Sequence, residues 1–306
     1  MLDGLRRFHL DVDNGVRIAL IDFGGEGPPA LLHHANGFCA GMWAEVAERL
    51  TASFRVFAMD ARGHGDSSKP EGAEAYRWQH FGTDVGEVAD RLAREHGPLA
   101  LGLGHSFGGT ALILAAIDRV KRFERLVLVD PIVMPLGWDP EARREHANAM
   151  AQAARRRRQV FESRERARAG WAGKSLFAAW TPRALDLYVA EGLADRPDGQ
   201  VELKCPGEIE GVIFANGPNS DVMARASGLV PPALILWAAR GNFPRAHFET
   251  LASRMPCGVV RDAGAGHLMP MEKPMLVAAE VLAFSARSAV RAGSSPPSPR
   301  AGTPRG

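Results

Sequence analysis

The sequence predicts an α/β fold with a mostly parallel central sheet and an inserted helical cap, on three observations. Apolar runs short enough for strands alternate with helix-like stretches from Leu31 to Asp130, and again from Ala233 to Ala286. Between them, residues 134–227 lose that alternation and read as mostly helical. A length of 306 residues, 46% hydrophobic and 24% charged, is enough for one large core carrying such an insertion.

In chain order, Phe8 to Val12 and Val16 to Asp22, joined by Asp13-Asn14-Gly15, read as an opening β-hairpin. Leu31-Leu32-His33 is an apolar strand that ends in the turn Ala35-Asn36-Gly37-Phe38, with Trp43 shortly after. Val56 to Met59 is a strand leading into the polar, glycine-rich turn Asp60 to Ser68. Leu99-Ala100-Leu101 enters Gly104-His105-Ser106-Phe107-Gly108, and Thr110 to Ile117 reads as a helix. Leu126 to Val129 is a strand closing on Asp130. Beyond the insertion, Ala233 to Trp237 and Val259-Val260 are strand-like, Asp262 to Leu268 is a loop carrying His267, and Met271 to Ala286 is a helix. Arg291 to Gly306, rich in Gly, Ser, Pro and Arg, reads as a disordered tail. The expected organisation is therefore a core of residues 1–133 and 228–290, a cap of 134–227 and a tail of 291–306.

Gly104 to Gly108 is the most informative stretch. Small residues two before and two after Ser106 let the backbone turn sharply, so the hydroxyl projects while the helix N-terminus points at it. That is a nucleophile elbow. The same letters, Gly102-Leu103-Gly104-His105-Ser106-Phe107-Gly108, also approach a dinucleotide-binding fingerprint, with Asp130 close to where a ribose-binding acid falls. These residues alone leave both readings open.

Three further segments weigh on the choice. The turn at Gly37 can offer the N–H of Phe38 to a developing oxyanion, paired with the N–H of Phe107. The second is the strand and glycine-rich turn Val56 to Ser68, and the third is the His267 loop. With the elbow, and in this order, these segments resemble the α/β-hydrolase fold family over roughly residues 8 to 288, apart from 134–227. The resemblance implies Ser106 as nucleophile, His267 as general base and acid, and Phe38 and Phe107 as the oxyanion hole. The dinucleotide reading leaves the Phe38 turn and the His267 loop unexplained, so no nicotinamide or other cofactor is expected.

The acid departs from the family's pattern. Its commoner place is the turn after the seventh strand, here Ala238 to Pro244, yet no Asp or Glu occurs between Asp221 and Glu249. Asp130, after the sixth strand, is the expected acid, in a position similar to that of the haloalkane dehalogenase branch. Its competing reading is a turn cap before Pro131, and Asn242 is a weaker orienting amide. Haloalkane dehalogenases and epoxide hydrolases attack with a carboxylate, whereas serine suits attack on a carbonyl and an acyl-enzyme. The expected activity is hydrolysis of an ester or related carbonyl bond. Carbon–carbon cleavage with the same triad and a non-catalytic ligand receptor are the alternatives.

Of ten histidines, only His267 has a glycine-rich loop to carry an imidazole to Ser106. His33 and His34 are expected to shape the oxyanion turn, and His64 to be structural. His105, Trp138, Trp180 and Phe214 are expected to line an apolar substrate pocket. Between Glu141 and Arg168 nine arginines face four glutamates; a solvated helix face is the expectation, binding of an anionic substrate or a partner the sharper alternative. Net charge of +2 argues against a dedicated nucleic-acid binder. Three cysteines, Cys39, Cys205 and Cys257, follow no metal spacing and cannot all pair, which favours a reducing, cytoplasmic setting with no metal. Met1 to Asp11 has no apolar core, so no signal peptide is expected, and the longest apolar stretch is broken by Gly and His at the elbow, so no membrane span is expected. The expected partner is a small-molecule substrate.

Overall fold

Strands that are buried on both faces must be apolar throughout, and that requirement organises the main sheet. In the computed structural model, which describes residues 2–119, 121–217, 221–255 and 258–293, eight strands lie in the order β1-β2-β4-β3-β5-β6-β10-β11. The hairpin of β1 (Arg6–Val12) and β2 (Val16–Gly24) is antiparallel, registered from Arg6 opposite Asp22 to Val12 opposite Val16. A short 3-10 turn over Asp13–Gly15 joins them, with Gly15 at φ 71°. β2 runs antiparallel to β4 (Arg55–Met59). From there β3 (Pro29–His33), β5 (Leu101–His105), β6 (Leu126–Val129), β10 (Ala233–Trp237) and β11 (Gly258–Asp262) all pair in parallel. Leu31, Leu32, Leu101, Leu103, Val127 and Leu128 at its centre have no exposed surface.

Helices cover both faces. α1 (Ala44–Leu50) and α11 (Pro274–Gly293) pack on one side, α2 (Trp78–His96), α3 (Phe107–Asp118) and α9 (Arg245–Arg254) on the other. The sheet grows from β3 toward β4 and then restarts at β5 in the opposite direction. Loops leaving the carboxyl ends of β3 and β5 therefore diverge and open a crevice, where ligands of such sheets bind.

The insertion between β6 and β10 is mostly helical, as expected, with a small sheet that the sequence did not show. It carries α4 (Pro140–Arg155), α5 (Arg164–Ala172), α6 (Pro182–Glu191), α7 (Gly207–Asn216) and α8 (Val222–Arg225). It also holds a three-stranded antiparallel sheet in the order β7-β9-β8, made of Val160–Phe161, Val201–Leu203 and Leu193–Asp195. Strands of two or three residues are too short to print an alternating pattern. The helix starts are conventional: Asp139, Ser163 and Thr181 accept from Ala142, Arg166 and Ala184, with Pro140 and Pro182 in the first turns. At the C-terminus, α10 (Met269–Glu272) precedes α11, and α11 runs on to Gly293. Arg291 to Gly293 are thus helical where a tail was expected; the rest of that stretch and Cys257 lie outside the described residues. Among the described residues no helix is long and apolar enough to cross a membrane.

Candidate active site

Ser106 occupies the turn from β5 into α3 with φ 55° and ψ −120°, a region in which a side chain costs about 1–3 kcal/mol. The surroundings enforce it. Ser106 N–H donates to the Val129 carbonyl at 2.8 Å, and the Ser106 carbonyl accepts from Gly109 at 3.0 Å. A Cβ on Gly104 would stand 2.6 Å from the Gly108 oxygen, and one on Gly108 would stand 2.5 Å from the carbonyl oxygens of His33 and His34. Strand, helix and the end of β3 therefore meet only because both positions are glycine.

Three side chains from distant segments converge there. The Ser106 hydroxyl lies 3.0 Å from His267 Nε2, and His267 Nδ1 lies 2.6 Å from Asp130 Oδ2. Asp130 is fully buried at the end of β6, with φ 42°, and its other oxygen accepts from Ala238 N–H at 3.2 Å. Its carboxylate can only accept, so Nδ1 of His267 carries the proton and Nε2 is left to accept from Ser106. Asn242 is exposed in the turn after β10, the seventh strand of the main sheet, with its amide nitrogen 3.3 Å from Nδ1. Of the two groups, Asp130 makes the shorter contact.

The His267 loop is held by residues that sequence reasoning did not single out. Gly266 N–H donates to Glu272 at 2.8 Å, and a Cβ on Gly241 would come within 2.4 Å of the Asp130 carboxylate. His105 was expected in the pocket wall. Instead it is buried behind the site and bonds the His267 carbonyl at 2.8 Å, which anchors the loop. Trp180 is likewise absent from the wall: it is buried one layer back, packed on Phe38, Phe177 and Tyr188. Trp138 and Phe214 do line the cavity, which measures about 350 Å³. Ser106, His267 and Asn242 also line it, and Ile132, Met134, Met150, Leu176, Phe177 and Phe243 make most of the remainder apolar.

As the first residue of α3, Phe107 has an N–H with no intrahelical acceptor. The N–H of Phe38 closes its turn onto the Ala35 carbonyl at 3.2 Å. That turn is braced from below and above. Gly37 N–H donates to His64 Nε2 at 3.0 Å, and the Gly37 carbonyl accepts from Tyr188 at 3.2 Å. Burial pushes the Tyr188 phenol up to about 12; it accepts from Arg157 at 2.7 Å, and Arg157 is ion-paired with the nearly buried Glu210. Beneath the site, burial lowers His33 to about 3 and His34 to about 4, and takes His64 and His105 well below the usual histidine range. All four are neutral and act as fixed donors and acceptors: His34 Nε2, for example, accepts from Ala61 N–H at 2.9 Å.

A mostly parallel sheet with this switch point, an elbow at its centre and an inserted roof define an α/β-hydrolase. Residues 30–280 match the Alpha/beta hydrolase family, and the chain belongs to it. It is 28% identical over 264 residues to N-formylmaleamate deformylase of Pseudomonas putida, covering 85% of this chain and 89% of that protein. To fluoroacetate dehalogenase of a Burkholderia species it is 33% identical over 153 residues, 45% of this chain and 49% of the other. Among solved structures, E-2-(acetamidomethylene)succinate hydrolase shares the fold with a TM-score of 0.76 at 22% identity, covering 92% of this chain and 98% of that one. Relatives of these kinds support hydrolase activity.

Proposed function

We propose that the protein is a serine hydrolase that cleaves an ester or related carbonyl bond of a small, partly apolar molecule through an acyl-enzyme on Ser106. The observation that carries the reading is the unbroken hydrogen-bond relay from Asp130 through His267 to Ser106 at the wall of an apolar cavity. Ser106 Oγ attacks the carbonyl carbon as its proton passes to His267 Nε2. Asp130 stabilises the resulting imidazolium and holds its orientation. Negative charge collects on the carbonyl oxygen, which accepts from Phe107 N–H and from Phe38 N–H. The Phe38 bond to Ala35 is long and is shared at little cost. His267 then protonates the leaving group, and water reverses the sequence to free the acid.

Serine at position 106 separates this chemistry from attack by a carboxylate nucleophile, which forms an alkyl-enzyme. Residues 134–227 act as the cap, since Trp138, Arg143, Met150, Leu176 and Phe214 on it enclose the cavity. A volume of about 350 Å³ suits a small molecule. Amide substrates are the second reading, favoured by the alignment with a deformylase over 89% of its length. A panel of p-nitrophenyl esters and the matching anilides, from acetyl to octanoyl, tests both. Turnover of at least one series is expected, with Ser106→Ala lowering kcat by roughly 10⁴–10⁶-fold. A Ser106→Ala variant that keeps most of its activity overturns the mechanism.

A further inference from the structure

The roof of the cavity is one stripe of α4: Arg143, Ala147, Met150 and Ala154, at helical spacing, all face it. His146, against Trp138, and Ala153 also reach the cavity from this helix, so the stripe is apolar except for Arg143 and the exposed imidazole of His146, and Arg143 is unlike its neighbours. Most other cap arginines have carboxylate partners: Arg155 with Glu208, Arg157 with Glu210, Arg164 with Asp195, Arg168 with Asp186. Among the described residues Arg143 has no ion pair. Its Nε is buried without a hydrogen-bond partner.

Charge in the wall is therefore unbalanced. Arg157 and Glu210 neutralise one another, and Arg157 spends a further donor on Tyr188. Asp130 stands behind His267 with no exposed surface and does not contribute to the wall. What remains is one guanidinium with unfilled donors, in a partly desolvated chamber where an uncompensated charge is costly. A planar fork of N–H groups is matched by a carboxylate, which can fill Nε and an Nη together.

We infer that the substrate carries a free carboxylate, remote from the bond that is cleaved, and that Arg143 binds it. This inference rests on the hydrolase reading above and adds the substrate class: short half-esters or half-amides of dicarboxylic acids. The carboxylate holds one end of the molecule under α4 while the apolar wall takes the intervening methylenes and the reacting carbonyl reaches Ser106. Arg143 is thereby a specificity residue, separate from the relay.

The test compares monoethyl glutarate with diethyl glutarate, which differ by one charge but share the leaving group. Wild-type protein is expected to favour the half-ester by tenfold or more in kcat/KM. Arg143→Gln is expected to reduce that ratio by ten- to a hundredfold, mainly through KM, the range for a lost charge-assisted hydrogen bond. Arg144→Gln, on an exposed neighbour of the same helix, controls for general electrostatic attraction and should keep the preference. Calorimetric titration of the Ser106→Ala protein with monoethyl glutarate supplies a readout without turnover, and saturable binding should disappear in Ser106→Ala/Arg143→Gln. Hydrolysis of both esters with no preference, or a preference that survives Arg143→Gln, overturns the inference and leaves the hydrolase reading intact. Arg143-dependent binding with no turnover of either ester does the reverse. Absence of both binding and preference removes the carboxylate site altogether.

Discussion

Asp130→Asn isolates the orienting group with a change of one heavy atom, and its cost follows from the two bonds that the carboxylate makes. One oxygen accepts from Ala238 N–H at 3.2 Å and the other accepts from His267 Nδ1 at 2.6 Å. An amide has one acceptor and must choose. With its oxygen on Ala238, the NH2 faces Nδ1, which must then be unprotonated; the proton moves to Nε2, 3.0 Å from the Ser106 hydroxyl, and the base is lost. With the amide reversed, Nδ1 keeps its proton, but two buried donors oppose each other at Ala238, at about 1–3 kcal/mol. The reversed amide also lacks the charge that stabilises the imidazolium. In a serine protease of another fold the corresponding change lowers turnover about ten-thousandfold. An expected fall of 10³–10⁴ in kcat corresponds to roughly 4–5.5 kcal/mol. Steady-state hydrolysis of the preferred p-nitrophenyl ester measures it, with circular dichroism melts to show that the variant is folded. Asn242→Ala should lose less than about fivefold, because its amide is exposed and lies 3.3 Å from a nitrogen already bonded to Asp130. A folded Asp130→Asn variant with more than a tenth of wild-type kcat refutes the tautomer argument.

Two other outcomes follow from the same structure. His33, His34, His64 and His105 are held neutral by burial, the first two with values of about 3 and 4, whereas in the unfolded chain they protonate near 6.5. The unfolded state therefore takes up protons that the folded state refuses: stability should be level above pH 6.5 and fall below it, by on the order of 1 kcal/mol per histidine per pH unit. Urea midpoints at pH 8, 6.5 and 5.5 measure this, and a midpoint that does not move between 6.5 and 5.5 contradicts it. NAD and NADP should give no heat on titration, because the elbow glycines are packed against each other and against the end of β3, with Ser106 N–H already bonded. Saturable micromolar binding would falsify that assignment of the glycines.

What was legible in the chain was what local sterics print there. The Gly-x-Ser-x-Gly spacing is readable because a turn this sharp admits no Cβ at Gly104 or Gly108, and the strands are readable because burial on both faces demands unbroken apolar runs. Asp130 was reachable only through the absence of Asp and Glu from the turn after β10. The missed features are long-range. His105 sits inside the elbow motif, but its partner is a carbonyl 162 residues away, which no local pattern encodes. Trp180 and Tyr188 are both aromatics of the insertion near α6, and only the packing of the insertion puts Tyr188 at the wall and Trp180 behind it. The arginine run read as a solvated face, and most of it is exposed. Arg157 departs because Glu210, 53 residues on, draws it inward, and Arg143 because α4 turns it toward the cavity. The small sheet β7-β9-β8 left no periodicity to read.

The central claim, a carbonyl-directed nucleophile at Ser106 activated by His267, is tested most directly by a fluorophosphonate probe followed by peptide mass mapping. One adduct per chain is expected, on the peptide containing Ser106, formed in seconds to minutes at pH 8, lost in Ser106→Ala and slowed at least a thousandfold in His267→Ala. An adduct on another residue, or equal labelling of the Ser106→Ala protein, contradicts the account.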